Sequence, residues 1–188
     1  MNCKVLLIVL SFCGFSALSK AQTYVPVQSS STVKFFINNF GLPTEGSFSG
    51  IKGDIDFNPS KLREASFDMS VDAATVFTKN KTRDRHLNSR EYFYTEKFPT
   101  IYLISKSITK SNLKNQYQFE GELMIKDLTR RVTFQFFAEP DKSGYHFTGG
   151  FRINRRDYFI GSSSLVLSNN VEVELSIFTV KKTYNYQQ

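Results

Sequence analysis

Between Arg83 and Glu91 the chain crowds together Arg83, Asp84, Arg85, His86, Arg90 and Glu91. A carboxylate near an imidazole is the material of general acid/base chemistry, and the same pair can begin a metal site. The spacing argues against both uses. The start signals predict a helix from Lys79 or Asn80 to about Leu87, with Thr78 as its N-cap. On such a helix Asp84 and His86 stand two positions apart, so their side chains leave in different directions. A metal would need further ligands, yet the one other histidine is His146 and both cysteines, Cys3 and Cys13, lie near the N-terminus. No G-x-S-x-G motif supplies a nucleophilic serine. The structural reading of the segment fares better. Leu87, Tyr92, Phe93, Phe98 and Ile101 can dock it on the body of the protein, while its charges face water or pair at three- and four-residue spacing.

The elements that must position this segment come after a leader. Met1 to Ala21 has a short positive start at Lys4, an apolar run from Val5 to Leu10 continued by Phe12, Phe15 and Leu18, and small residues Ser19 and Ala21 before Gln22. This is the pattern of a secretory signal peptide. The apolar run is too short and too interrupted for a spanning helix, which needs about 20 residues. Lipid attachment at Cys13 is a competing reading, ranked lower because Phe12 stands where a small residue is expected. The 167 residues from Gln22 onward then contain no cysteine, carry a formal charge of +5 and form one domain, with a loose tail expected over 182–188. That scattered charge fits a solvated surface better than a nucleic-acid partner.

From Gln22 onward the dominant signal is alternation. Val33, Phe35 and Ile37 share one face, as do Ile55 and Phe57 before the Asn58-Pro59 turn. Ala65, Phe67, Met69, Val71 and Ala73 keep period two for nine residues, which no amphipathic helix does. Ile101 and Leu103, then Tyr117, Phe119, Leu123 and Ile125, continue the pattern on either side of a turn at Lys114-Asn115. Asp127 to Arg130 reads as a turn, Val132, Phe134 and Phe136 as the next strand, and Pro140 to Gly144 as a loop. Tyr145, Phe147, Phe151 and Ile153 follow, with a bulge or bend expected at Gly149-Gly150. Val171, Val173, Leu175 and Ile177 face away from Glu172 and Glu174 in the last strand, from Val171 to Val180.

Roughly eight strands with short connections predict an all-β antiparallel barrel or a two-sheet sandwich. Nineteen Phe and nine Tyr load the inward faces. An eight-stranded barrel either fills its interior with side chains or holds one small ligand. From the residues alone, filling is the simpler reading.

The segment Arg83-Asp84-x-His86-Leu87-x-Ser89-x-Glu91-Tyr92-Phe93, followed by Lys97-Phe98-Pro99-Thr100-Ile101-x-Leu103-x-Ser105, resembles the signature of the YceI-like family of bacterial secreted proteins. Ser31-x-Val33-x-Phe35, Gly46-x-Phe48, Gly53-x-Ile55-x-Phe57-x-Pro59, Gly121-x-Leu123 with Thr129 and Val132, Asn154-Arg155-x-Asp157-Tyr158 and Val171-Glu172-Val173 fall in the same family order. Two departures stand out. Phe159 and its neighbours occupy the place of a usual Gly, and Lys126-Asp127 with Arg131 replace the usual Gly and Pro around the Leu-Thr turn, changes that bear on the width or the mouth of a pocket.

The resemblance implies an eight-stranded antiparallel lipocalin-like barrel with a short helical insert. It also implies an exported, periplasmic binding protein, not an enzyme and without a cofactor, that holds a polyisoprenoid, an isoprenoid quinone or a similar long lipid or amide. The inward residues then become pocket lining. They are Phe35, Ile37 and Phe48 near the start; Phe67, Met69 and Val71; Ile101 and Leu103; Phe119, Leu123 and Ile125; Val132 and Phe134; and Phe151, Ile153, Val173 and Leu175. Leu87, Phe93 and Phe98 of the insert close over them. Asp84, His86, Arg155 and Asp157 are the candidate polar groups at the ends of the pocket. A lipid-acting hydrolase or isomerase using Asp84 and His86, and a filled barrel serving as a surface interaction module, stand as alternatives. A homodimer through an exposed strand edge is also compatible with the sequence.

Overall fold

The computed structural model describes residues 22–183, so the segment 1–21 expected to be a leader and the last residues, 184–188, lie outside the described part of the chain. Nine strands form one antiparallel sheet: β1 (Thr23–Pro26), β2 (Thr32–Asn39), β3 (Leu42–Asp56), β4 (Ser66–Phe77), β5 (Thr100–Lys110), β6 (Gln116–Ile125), β7 (Leu128–Pro140), β8 (Tyr145–Asn154) and β9 (Leu167–Lys181). One helix, α1 (Lys81–Asn88), lies between β4 and β5, and short 3-10 turns cover Leu62–Glu64 and Arg155–Tyr158. β3 pairs with β4 as well as with β2, which closes the sheet into a barrel.

The ninth strand does not enlarge the ring. β1 and β2 both run between β3 and β9, β1 against Ile55 and Val180 at one end and β2 against Phe48 and Leu175 at the other. They are two halves of one strand position, so the barrel has eight. At the break the Ser31 hydroxyl donates to the Phe178 carbonyl and accepts from the Phe178 N–H, replacing the ladder bonds that the interruption removes. Of the tail expected from Lys182 on, Lys182 itself is fixed. Its N–H donates to the Thr23 carbonyl and its ammonium group to the Asp54 carboxylate.

β3 begins well before Ile55, where its alternation first shows, because Pro43 and three glycines hide the pattern. Gly46 lies under the Phe35 ring, where a Cβ would come within 2.1 Å of ring carbon. Gly53 has φ of 134° and leaves room for the Asp68 carbonyl, 2.0 Å from where a Cβ would sit. The expected bulge at Gly149-Gly150 is absent. β8 stays in register with β9 throughout, but its pairing with β7 ends at Phe136–Gly149. Beyond that point the two strands part, and the 3-10 turn with buried Tyr158 packs beside the seam, its hydroxyl 3.5 Å from the Leu123 carbonyl.

Asn80, not Thr78, caps α1, its side chain accepting from the Thr82 and Arg83 N–H groups at 3.1 Å. β7 starts at Leu128 because Lys126 and Asp127 alone make the turn, with Lys126 in the left-handed region. Phe159 takes the same region, φ 48°, although it is an aromatic residue at the end of a helical turn. A bulky side chain there costs about 1–2 kcal/mol. Phe159→Gly should therefore raise stability by about 0.5–1 kcal/mol after the entropy glycine loses on folding. Chemical denaturation checks this, and an unchanged or lower midpoint contradicts it.

Candidate ligand cavity

The barrel is solid at one end and hollow at the other. At the solid end Phe57, 1% exposed, meets Phe67, Tyr117, Phe136, Tyr145 and Phe147 with ring centroids 5.1–6.5 Å apart, all at steep angles. Tyr24 closes this cluster edge-on to Tyr145. Each such contact adds to the area buried. Above this floor lies a cavity of about 530 Å³, within the range of small-molecule sites. The filled and hollow readings of the sequence thus describe two halves of one molecule.

Most expected lining residues do border the cavity. Phe35, Ile37 and Phe48, Phe67, Met69 and Val71, and Ile101 and Leu103 do so from β2 to β5. Leu123, Ile125 and Phe134, then Phe151 and Ile153, and Val173 and Leu175 complete the wall, with Leu87 and Phe93 above. Phe93 locks the insert down, edge-on to Phe48 at 5.4 Å. Three expected apolar residues sit elsewhere. Phe119, fully buried, stacks beneath Phe134 at 4.6 Å. Val132 is buried in the wall without reaching the cavity. Phe98 packs against Tyr94 at 5.8 Å on the outside of the insert. The cavity also takes Val33, Ile51, Phe136, Phe147, Val171 and Ile177, all from inward-phase positions that simple alternation would have included.

The polar groups divide by where their bonds go. Asp84 accepts from the Thr78 N–H at 2.8 Å and from its hydroxyl at 2.5 Å, tying the helix back to the end of β4, and it does not border the cavity. Asp157 is exposed and also outside it. His86 does reach the mouth, with Nε2 3.4 Å from Glu91 and its ring 4.7 Å from Tyr92. Asp84 and His86 therefore do not meet, and His146, the other histidine, is 2.8 Å from Ser176 on a different strand pair. Among the described residues no group of three or more His, Cys, Asp or Glu could hold a metal ion.

Arg155 borders the cavity but is spent on backbone. Its guanidinium donates to the carbonyls of Ser168, Ile160, Ser162 and Leu167 at 2.9, 2.7, 3.0 and 3.4 Å, holding the β8–β9 connection against the barrel. Burial pulls it below the usual arginine range, Arg156 adds to this and Tyr92 opposes it. Ser162, Ser163 and Ser164 of that connection, Arg83 and Tyr92 of the insert, and Asn39 and Thr44 of the β2–β3 hairpin complete a polar mouth over an apolar chamber. The substitution at Phe159 does not narrow the chamber, since that ring is exposed and outside it.

Burial pushes the Tyr158 phenol up to about 12, with Arg130 opposing and Asp157 adding. Burial and Tyr145 raise Tyr24 and Tyr117 in the same direction. The folded protein thus keeps a proton that the unfolded chain loses near the ordinary phenol value, so this stability is present below about pH 10 and is lost as pH rises toward 12. Thermal midpoints should fall over that window, and less steeply in Tyr158→Phe. Parallel curves for the two proteins would contradict the assignment.

A closed eight-stranded antiparallel barrel, with one helix beside its mouth and an apolar chamber beneath, is a lipocalin-like architecture. The chain belongs to the YceI-like family, whose YceI-like domain matches residues 24–178. A UPF0312 protein of Pseudomonas fluorescens is 29% identical over 160 residues, 79% of this chain and 81% of its own. Among solved structures, BcnA of Burkholderia cenocepacia superposes with a TM-score of 0.77 at 21% identity, covering 81% of this chain and 98% of its own. A polyisoprenoid binding domain from Saccharophagus degradans gives 0.66 at 13% identity, covering 86% and 99%. At these identities the structures are alike in fold.

Proposed function

We propose that the protein is a carrier that holds one long apolar chain, a polyisoprenoid or a lipid of similar shape, in the hollow half of the barrel. The observation that carries this is the make-up of the chamber: its wall is mainly aliphatic and phenylalanine side chains, while Arg83, His86, Arg155 and Ser162 to Ser164 gather at its mouth. Such a site binds by removing apolar surface from water, about 2.5 kcal/mol for each 100 Å² of ligand buried. The Saccharophagus degradans domain, of the same fold, is described as polyisoprenoid binding, which supports this ligand class.

Asp84 and His86 have separate partners, so we read the protein as a binder and not as an enzyme acting on the lipid. The leader over 1–21 supports export, and we place the carrier in the periplasm. Among the described residues no helix is long and apolar enough to cross a membrane.

Val173 faces the chamber from β9 between Phe35 and Phe151. Val173→Trp fills empty space and should leave the thermal midpoint within a few degrees. It should weaken binding of a fluorescent polyprenyl probe by about tenfold or more, roughly 1.4 kcal/mol. Unchanged affinity in a folded Val173→Trp protein would place the ligand elsewhere and overturn the reading.

A further inference from the structure

Two phenylalanines occupy positions that suit neither their backbone nor their ring. Phe40 and Gly41 form the two-residue turn between β2 and β3, and both have positive φ, 52° and 76°. That turn favours Asn-Gly, because asparagine tolerates the left-handed region and a phenylalanine pays for it. Phe159 is held in the same region. Neither ring is rewarded by packing, with Phe40 74% and Phe159 64% exposed. Strain kept at exposed aromatic residues points to something outside the chain that takes the rings.

Both lie at the mouth end, where further apolar residues gather. Leu42 starts β3, and Leu165 and Val166 project from the β8–β9 connection, Leu165 fully into solvent. The Phe40 N–H donates to the Val166 carbonyl at 2.9 Å, so the hairpin tip and the connection form one surface. Val166 also borders the cavity, which makes the exposed apolar rim continuous with the apolar interior. Single exposed apolar residues mean little, but a contiguous group around an opening marks an interaction site. Leaving out buried Arg155, the loops at this end, 40–41, 78–99, 126–127 and 155–166, carry eight Lys or Arg against five Asp or Glu. Lys126 stands beside the rim, its ammonium group 2.9 Å from the Phe159 carbonyl.

We propose that the mouth of the barrel docks on the surface of an anionic bilayer, with Phe40, Phe159 and Leu165 entering the interface and the surrounding cations meeting lipid headgroups. Resting on the carrier reading, it explains how a cargo with negligible solubility as a free molecule enters the chamber: Val166 links the exposed apolar rim to the apolar interior past the polar groups of the mouth. Separate protruding tips flanked by cations fit a fluid interface, where binding grows with inserted apolar area and with attraction to anionic lipid. A protein partner or a second copy would use the same tips differently, and the test separates them.

The purified protein is mixed with vesicles of equal parts phosphatidylcholine and phosphatidylglycerol, or of phosphatidylcholine alone, and floated on a density gradient. A triple variant, Phe40→Asn with Phe159→Gly and Leu165→Ser, is run beside it, none of the three residues bordering the cavity. Farnesol binding in vesicle-free solution is measured for both. The expected result is flotation with the anionic vesicles, weakened by salt and reduced about tenfold in the variant, with farnesol affinity unchanged. A wild-type protein that stays at the bottom of the gradient, or a variant that floats equally well, overturns the docking. A variant that changes only from dimer to monomer makes the rim a self-association face and also overturns it. Absence of farnesol binding in both proteins tells instead against the carrier reading, leaving the flotation result to decide the docking.

Discussion

Phe57→Ala should cost about 3–5 kcal/mol, the largest loss of any single truncation in the molecule. The ring is almost wholly buried and touches five other aromatic rings at the solid end, so its removal leaves a hole that rigid neighbours cannot close. For a domain with a total stability of about 5–15 kcal/mol, this is a large fraction. It should appear as a drop of roughly 10 °C in thermal midpoint. Ile153→Ala, on a residue that already faces empty space, should cost far less, about 1–2 kcal/mol, because little new cavity is made. Equal losses for the two would mean that the barrel is not divided into a packed floor and a hollow chamber.

Arg155→Met should cost about 3 kcal/mol and act on one region. Met keeps much of the stem but removes a buried cation that donates to four carbonyls, leaving those oxygens to find water or remain unpaired. The loss should concentrate in the connection from Ile160 to Ser168, seen as faster amide exchange there while β4 to β6 keep their protection. Because Ser162, Ser163, Ser164 and Val166 of that connection border the mouth, ligand release should also quicken. Exchange that rises evenly over the barrel, or a cost below about 0.5 kcal/mol, would show that Arg155 does not organise the connection.

Much of this architecture is legible from residue order, and the failures have physical causes. β6, most of β9 and β4 from Phe67 to Ala73 alternate cleanly because one face of each is inward there, and reading them needs only period two. β1 escapes because four residues ending in Pro26 carry too little pattern, and its place beside β9 depends on a long-range pairing. The break between β1 and β2, mended by Ser31, leaves no local trace.

The hollow is harder still. Phe67 and Val71 both point inward four residues apart on β4, yet the first forms floor and the second wall, and alternation treats them alike. Phe119 and Val132 show the same limit, inward in phase and buried but below or beside the chamber. Among the charges, Asp84 and Arg155 were expected at the pocket as ligand groups. Their chemistry is consumed by Thr78 and by four backbone carbonyls, partners no spacing rule displays. The insert remains what its apolar residues suggest, a capped helix pinned by Phe93 and Leu87, with His86 at the mouth beside Tyr92.

The central claim is that the chamber carries one chain-like apolar molecule. Native mass spectrometry of the protein purified without detergent, joined to solvent extraction of the same sample, tests it most directly. The account predicts a bound species of one lipid per chain, or uptake of one polyprenol when the protein is first stripped. A protein that runs at its bare mass and takes up neither polyprenyl nor fatty-amide probes would contradict it.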